Sequence, residues 1–219
     1  MRKLFNFRGL KNKEQGRRAF VLGNGPSVAL EDLTKLQGEL VIGMNASTQL
    51  EKDHGFVQNY YCISDARFLT HPEKRPWGTS SLSESTVRVL RKDIREHDDP
   101  HLASKTFYVP HLKRDGFSEN VEVGFYYGCS TTMLALQLAY HLGCSEIYML
   151  GVDLRYNPES PRFYKEVSPQ LEDAFTSVQI WNIANAFNVM AEKNVSLYGC
   201  SEKSLLRPYI PYMKFSEIK

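Results

Sequence analysis

The residues able to do chemistry sit in short polar stretches, each closing an apolar run. The first is Gly23-Asn24-Gly25-Pro26-Ser27, which follows the uncharged residues 19–22. Glycine lets backbone take positive φ or approach a ligand without a Cβ in the way. Pro26 fixes φ at the exit, and Ser27 suits the cap of a following helix. A strand that ends in such a turn and opens a helix can offer N–H groups to phosphate. The spacing matches neither a Walker loop nor Gly-x-Gly-x-x-Gly, so it equally fits ordinary turn chemistry. Three further runs end alike: Asn45 after residues 40–44, Ser64-Asp65 after 56–63, and Ser130-Thr131 opening the helix expected over 131–142. Asp65 also suits a helix cap.

Two residues have the position and type of a proton acceptor. His111 follows the run 106–110, and an ordinary histidine titrates near neutral pH. Asp153 follows the run 146–151, where it either takes a proton or bonds the backbone of its own loop. The loop 155–167 holds Arg155, Tyr156, Arg162, Tyr164 and Lys165, and is expected to order over a ligand's phosphates through charge-assisted bonds. Residues 96–101, Glu-His-Asp-Asp-Pro-His, read as a solvated turn, because no complete metal ligand set is evident. His141, in a last helical turn, reads as structural.

These stretches must be positioned by strands and helices. Six apolar runs near residues 19–22, 40–44, 56–64, 106–110, 146–151 and 195–198 read as strands, with helical patterns between several of them. The class is therefore α/β, with a doubly wound, mostly parallel, Rossmann-like sheet in one domain bearing a small lid. Right-handed crossovers would bring the polar stretches to one rim, at the carboxyl ends of the strands. Residues 70–104 read as a variable insert, with a charged surface helix over 83–96. A long helix over 168–193 has Ser168 as cap, Pro169 at its first position, and Glu172 and Asp173 in its early turns. A short helix is expected after residue 201, before a tail at 207–219. Residues 1–17 are basic, suiting either a solvated terminus or weak contact with an anionic membrane surface.

The 219-residue chain is long enough for one sizeable core, and its net charge of +2 argues against a nucleic-acid partner. Cys62, Cys129, Cys144 and Cys200 are scattered and read as free thiols in a reducing compartment. No run reaches the roughly 18 apolar residues of a membrane span. The expectation is a cytoplasmic protein, with peripheral inner-membrane contact open through its basic N-terminus.

A set of motifs resembles the bacterial sialyltransferases of glycosyltransferase family 42 and the related DUF115 proteins, which include motility accessory factors and are named after a pterin pyrophosphokinase. It comprises Val21-Leu22-Gly23-Asn24-Gly25-Pro26-Ser27, Gly43-Met44-Asn45, Leu142 to Tyr148, Gly151-Val152-Asp153, and Leu197-Tyr198 with Ser204-Leu205-Leu206. The resemblance implies a CMP-activated acid sugar as donor, a glycan or glycolipid acceptor, and no required cofactor or metal. It matches Asn24, Asn45 and Ser64 to positions that hold the cytidine and its phosphate, and Thr131 to a Ser/Thr near the donor. Tyr156 and Tyr164 could stand for paired tyrosines on the leaving phosphate. The sialyltransferases carry a lid histidine, whereas this chain has no histidine beyond His141, and Gly128 stands where they have arginine. The implied activity is inverting glycosyl transfer in surface-glycan or lipopolysaccharide synthesis, with His111 or Asp153 as base. The alternatives are a DUF115-type diphosphokinase or other transferase, and a non-catalytic nucleotide- or glycan-binding homologue.

Overall fold

The computed structural model describes residues 9–156, 159–166 and 173–219. In chain order the strands are β1 (Arg18–Leu22), β2 (Leu40–Met44), β3 (Tyr60–Ile63), β4 (Val87–Arg91), β5 (Thr106–Val109), β6 (His111–Leu112), β7 (Phe125–Tyr126), β8 (Glu146–Leu150) and β9 (Ser196–Gly199). The α-helices are α1 (Thr48–His54), α2 (Arg67–Thr70), α3 (Arg75–Gly78), α4 (Thr131–His141) and α5 (Thr176–Glu192). Seven strands form one sheet in the order β5-β4-β3-β2-β1-β8-β9, with every paired neighbour parallel. The chain winds outward from β1 to β5, then returns to the other side of β1 for β8 and β9. The switch of direction falls between β1 and β8, where an open α/β sheet places its ligand crevice.

The central strands are apolar because both faces of the sheet are covered. Ala19 and Val21 pack with α4 and α5, while Phe20 and Leu22 pack on the opposite face with Leu33, Leu36 and Phe215. On that second face Phe20, Tyr148 and Tyr198 stack ring over ring at 5.3 Å spacing. Helix α4 is buried almost all round, so its lining is leucine, alanine and methionine rather than an amphipathic stripe.

Several sequence-based expectations change. Residues 83–96 form no surface helix: β4 runs through their centre, making the sheet seven-stranded. Charge disguised that strand. Arg88 is buried, donating to both carboxylate oxygens of Asp98, to Thr106 Oγ1 and to the Gly78 carbonyl. Asp98 is accordingly a buried partner, not part of a solvated turn. Residues 9–17 are largely exposed, but the segment is docked rather than free. Leu10 is buried, and the N–H groups of Asn12, Glu14 and Gly16 satisfy the carbonyls of His141, Leu142 and Gly143 at the end of α4. Residues 207–219 also belong to the fold: Ile210 and Phe215 are buried, and Gly199 bonds Pro211 and Met213. Turns replace the short helix expected after residue 201. Helix α5 starts at Thr176, so Asp173 precedes it; Ser168, Pro169 and Glu172 lie outside the described residues, as do residues 1–8. No helix among the described residues is long and apolar enough to cross a membrane.

The Arg88–Asp98 pair generates a stability test. Breaking a buried pair leaves an uncompensated charge, at a cost of about 3–5 kcal/mol, whereas apolar replacement of both partners is far milder. In urea denaturation Asp98→Ala should lose about that much, and the Arg88→Met/Asp98→Leu double variant much less. Equal losses in the two would remove the pair from its role in holding β4.

Candidate functional site

The floor of the site is the meeting of two backbone turns at the strand-order switch. Gly23 N–H donates to the Leu150 carbonyl and Gly25 N–H to the Gly151 carbonyl, both at 2.7 Å. The turns touch so closely that side chains are excluded. A Cβ on Gly23 would stand 2.7 Å from the Gly151 carbonyl carbon; one on Gly25 would stand 2.6 Å from Asp153 Cγ. Neither glycine has positive φ, which is instead found at Gly151, at +66°. The glycine pair therefore answers to the neighbouring turn, correcting the expectation that it serves positive φ. Asp153, 6% exposed, accepts from Ser27 N–H at 3.0 Å and from Ser27 Oγ at 2.5 Å. Ser27 thus sits inside the short 3-10 turn Pro26–Leu30 rather than capping a helix.

A second layer presents Asn45. The Asn24 amide spends both ends on the turn after β2, donating to the Met44 carbonyl at 3.2 Å and accepting from Ala46 N–H at 2.9 Å. Asn45, between those two, is held at φ +54°, its carbonyl accepting from the Tyr61 hydroxyl. Its side-chain Oδ1 is buried and has no hydrogen-bond partner. After β3, the Ser64 hydroxyl lies 2.6 Å from Thr131 Oγ1, tying that strand end to the start of α4. Asp65 accepts from Arg67 N–H and pairs with its guanidinium. Ser130 caps α4 by accepting from Thr132 N–H. Gly128 and Cys129, at φ +51° and +54°, turn the chain into that cap. A Cβ on Gly128 would stand 2.8 Å from Met133 Cγ and 2.9 Å from Asn182, so no arginine fits there without repacking.

The loop after β8 crosses the opening. Arg162 stacks over the Tyr156 ring at 4.7 Å, and the Tyr156 hydroxyl donates to Asp173 Oδ2 at 3.1 Å. Burial pushes the Tyr156 phenol up, and the Arg162 cation opposes that shift. The far end of the loop is pinned elsewhere. Tyr164 packs edge-on to Trp77 at 5.0 Å, Glu166 pairs with Lys74 at 2.5 Å, and Phe163 N–H donates to the Asn24 carbonyl at 3.2 Å.

Together these elements enclose a cleft of about 400 Å³. Of the residues singled out from the sequence, Gly23, Asn24, Gly25, Asn45, Asp65, Ser130, Thr131, Asp153, Tyr156 and Arg162 line it. Six lie off its wall. Pro26 and Ser27 turn away into the clamp on Asp153, and Ser64 is buried behind Thr131. Arg155 donates to the Lys203 carbonyl, and Tyr164 is taken into the Trp77 cluster. His111 opens β6, its Nδ1 3.7 Å from Asp93 and its ring 6.4 Å from that of Tyr127, a residue that does line the cleft. The lining also holds residues to which the sequence assigned no place in the site, among them Arg67, Tyr127, Cys129, Asp173, Phe175 and Gln179. Burial raises the Cys129 thiol, with Asp115 and Asp173 adding to the shift, so this cysteine is poorly ionised at neutral pH. Asp173 had only the signal of an acid near a helix start.

A family model described as "6-hydroxymethylpterin diphosphokinase MptE-like" matches residues 1–159. Among solved structures, the MAf glycosyltransferase from Magnetospirillum magneticum AMB-1 superposes with a TM-score of 0.66 at 13% identity, over 96% of this chain and 36% of that one. The chain thus spans about a third of that protein's length. The sialyltransferase CstII from Campylobacter jejuni, solved with cytidine-5'-monophosphate, gives a TM-score of 0.55 at 14% identity, over 90% of this chain and 85% of that one. Among curated protein sequences, none matches. The fold is thus glycosyltransferase-like, in line with the resemblance read from the sequence.

The Gly25–Asp153 contact yields a prediction independent of any ligand. Overpacking costs about 1–3 kcal/mol, so Gly25→Ala should lower stability by that much in nucleotide-free protein. Asp153→Ala should cost a similar amount, about 1–3 kcal/mol, by stranding the Ser27 donors. The double variant should lose less than the sum, because removing the carboxylate opens room for the new methyl. Additive losses in denaturant unfolding would show that the two residues do not meet.

Proposed function

The chain belongs to the MptE-like family, and we propose that it binds a CMP-activated acid sugar in this cleft and transfers the sugar, with inversion and without a metal, to a glycan or glycolipid of the cell surface. The observation that carries this reading is Asn45. A buried acceptor without a partner costs about 1–3 kcal/mol, and two neighbouring residues hold this one in place regardless. The amide side chain of Asn45, which lines the cleft, suits the amino and hydroxyl groups of a nucleoside. The phosphate then falls toward the start of α4, where Ser130 and Thr131 line the cleft and the helix favours negative charge. As the glycosidic C–O bond to phosphate breaks, its electron pair leaves with CMP, and Arg162 stands at the opening to meet that charge. CstII, a sialyltransferase solved in complex with cytidine-5'-monophosphate, supports the same donor class.

The family's description favours a second reading, diphosphoryl transfer to a hydroxymethylpterin. The two differ in nucleotide and in leaving group, so a nucleotide screen separates them. A non-catalytic binding homologue would be shifted by CMP yet release none from CMP-sialic acid or CMP-Kdo.

Left-handed backbone suits glycine at least as well as asparagine. Asn45→Gly should therefore keep the melting temperature of the free protein within a few degrees. For the wild type, CMP at a hundredfold excess over Kd should add about 2.7 kcal/mol of stability. That gain should be mostly absent in Asn45→Gly. A full CMP shift in this variant would detach Asn45 from the nucleoside, and a shift with ATP alone would favour the diphosphokinase reading.

A further inference from the structure

The proposed transfer requires a group that takes the proton of the attacking hydroxyl. We propose that this group is Asp173, an assignment that rests on the CMP-sugar reading. Three carboxylates line the cleft among the described residues: Asp65, Asp153 and Asp173. Asp65 is engaged across both oxygens by Arg67, whose Nε reaches each of them at 2.8–3.1 Å. Asp153 lies on the floor, 6% exposed, with one oxygen bonded by Ser27 Oγ and the other by Ser27 N–H and pressed by Gly25. A donor lying against Asn45 and Gly25 covers that floor.

Asp173 stands at the rim instead. Its Oδ2 accepts from Tyr156 Oη at 3.1 Å and from Gln179 Nε2 at 2.9 Å, while its Oδ1 accepts from Phe175 N–H at 2.9 Å. A carboxylate has about four lone-pair sites, so among the described residues one on Oδ1 has no donor. The carboxylate is held from three directions, and Gln179 is itself anchored on the Cys129 carbonyl at 3.0 Å. The neighbouring Phe175 ring lines the cleft and is 56% exposed, which marks this rim as the side a second substrate reaches from solvent. Tyr156, under Arg162, links the same carboxylate to the place proposed for the leaving phosphate. In the step, the acceptor oxygen bonds the anomeric carbon, the bond from that carbon to the CMP phosphate oxygen breaks, CMP takes the electron pair, and the hydroxyl proton passes to Asp173 Oδ1.

Water can stand in for the acceptor, so CMP release from CMP-sialic acid and CMP-Kdo tests the assignment without knowledge of the glycan. Asp173→Ser keeps an oxygen able to accept from Phe175 N–H, and Asp173→Asn keeps the size. Both should fold and retain the CMP thermal shift, while CMP release falls by about 10²-fold or more. Sodium formate should restore part of the rate in Asp173→Ser, which a merely structural role would not allow. Wild-type release in Asp173→Ser or absence of formate rescue would overturn Asp173 alone, whereas a CMP-binding wild type that hydrolyses neither donor would overturn the transfer reading, and Asp173 with it. A large loss in His111→Ala with none in Asp173→Ser would do the same in favour of His111. CMP leaving the wild-type melting temperature unmoved would overturn the donor reading, and Asp173 with it.

Discussion

The contact between the turn after β1 and the turn after β8 is the constraint on which the site depends. These strands are neighbours in the sheet but lie far apart in sequence, and their ends are joined by Ser27 bonding Asp153 through both N–H and hydroxyl. A buried carboxylate must find such donors or forfeit its solvation. Gly23 and Gly25 supply the other half of the contact, because only a residue without Cβ allows the two backbones to meet at 2.7 Å. The crevice at the switch point thereby gains a rigid floor rather than a gap between two loops.

From that floor outward, positioning is done by amides and hydroxyls that bond the turns and helix start around the cleft. Asn24 shapes the Asn45 turn, and Ser64 locates Thr131. Gln137, buried within α4, accepts from Ser118 and Tyr126 N–H and donates to the Tyr126 carbonyl. Asn182 of α5 accepts from Gly116 N–H and donates to Asp115. The two amides fasten the long excursion between β5 and α4, which delivers Gly128, Cys129 and Ser130 to the cleft. Each such bond is worth only about 1 kcal/mol, but leaving one of these buried groups unpaired costs more than the bond supplies, so the arrangement has few alternatives.

This logic explains what was legible in the sequence. Parallel strands buried on both faces are short apolar runs, and the ends of β1, β2, β3 and β8 could be read from them together with the polar residues that follow. β4 could not, because its buried Arg88 resembles surface charge until Asp98 and Thr106 are seen around it. The glycine pair was visible, but its partner lay about 130 residues away, where only the fold reveals it. Tyr156 and Tyr164 looked equivalent within one loop; Trp77 captures the second and leaves the first at the opening. Asp173 looked like an acid serving a helix dipole, and its place at the rim depends on where α5 begins.

Charge alone would not bring an anionic sugar nucleotide to this cleft. Arg67 and Arg162 line it, but so do Asp65, Asp153 and Asp173. Their local arrangement matters more than their sum. Asp65 lies against Arg67, while Asp153 faces the Ser27 donors beneath the floor. Arg162 is left stacked on Tyr156 without a carboxylate of its own among its described hydrogen bonds, at the open edge of the cleft. The start of α4 adds roughly half a positive charge, fixed in direction. In the proposed reading the donor's phosphate meets these two features, and the uncharged Asn45 reads the nucleoside. In that reading a carboxylate at the rim is compatible with the field, because an acceptor hydroxyl would approach neutral and give up its proton only as the phosphate departs. The proposed reading thus keeps an anion-favouring interior apart from a proton-accepting edge.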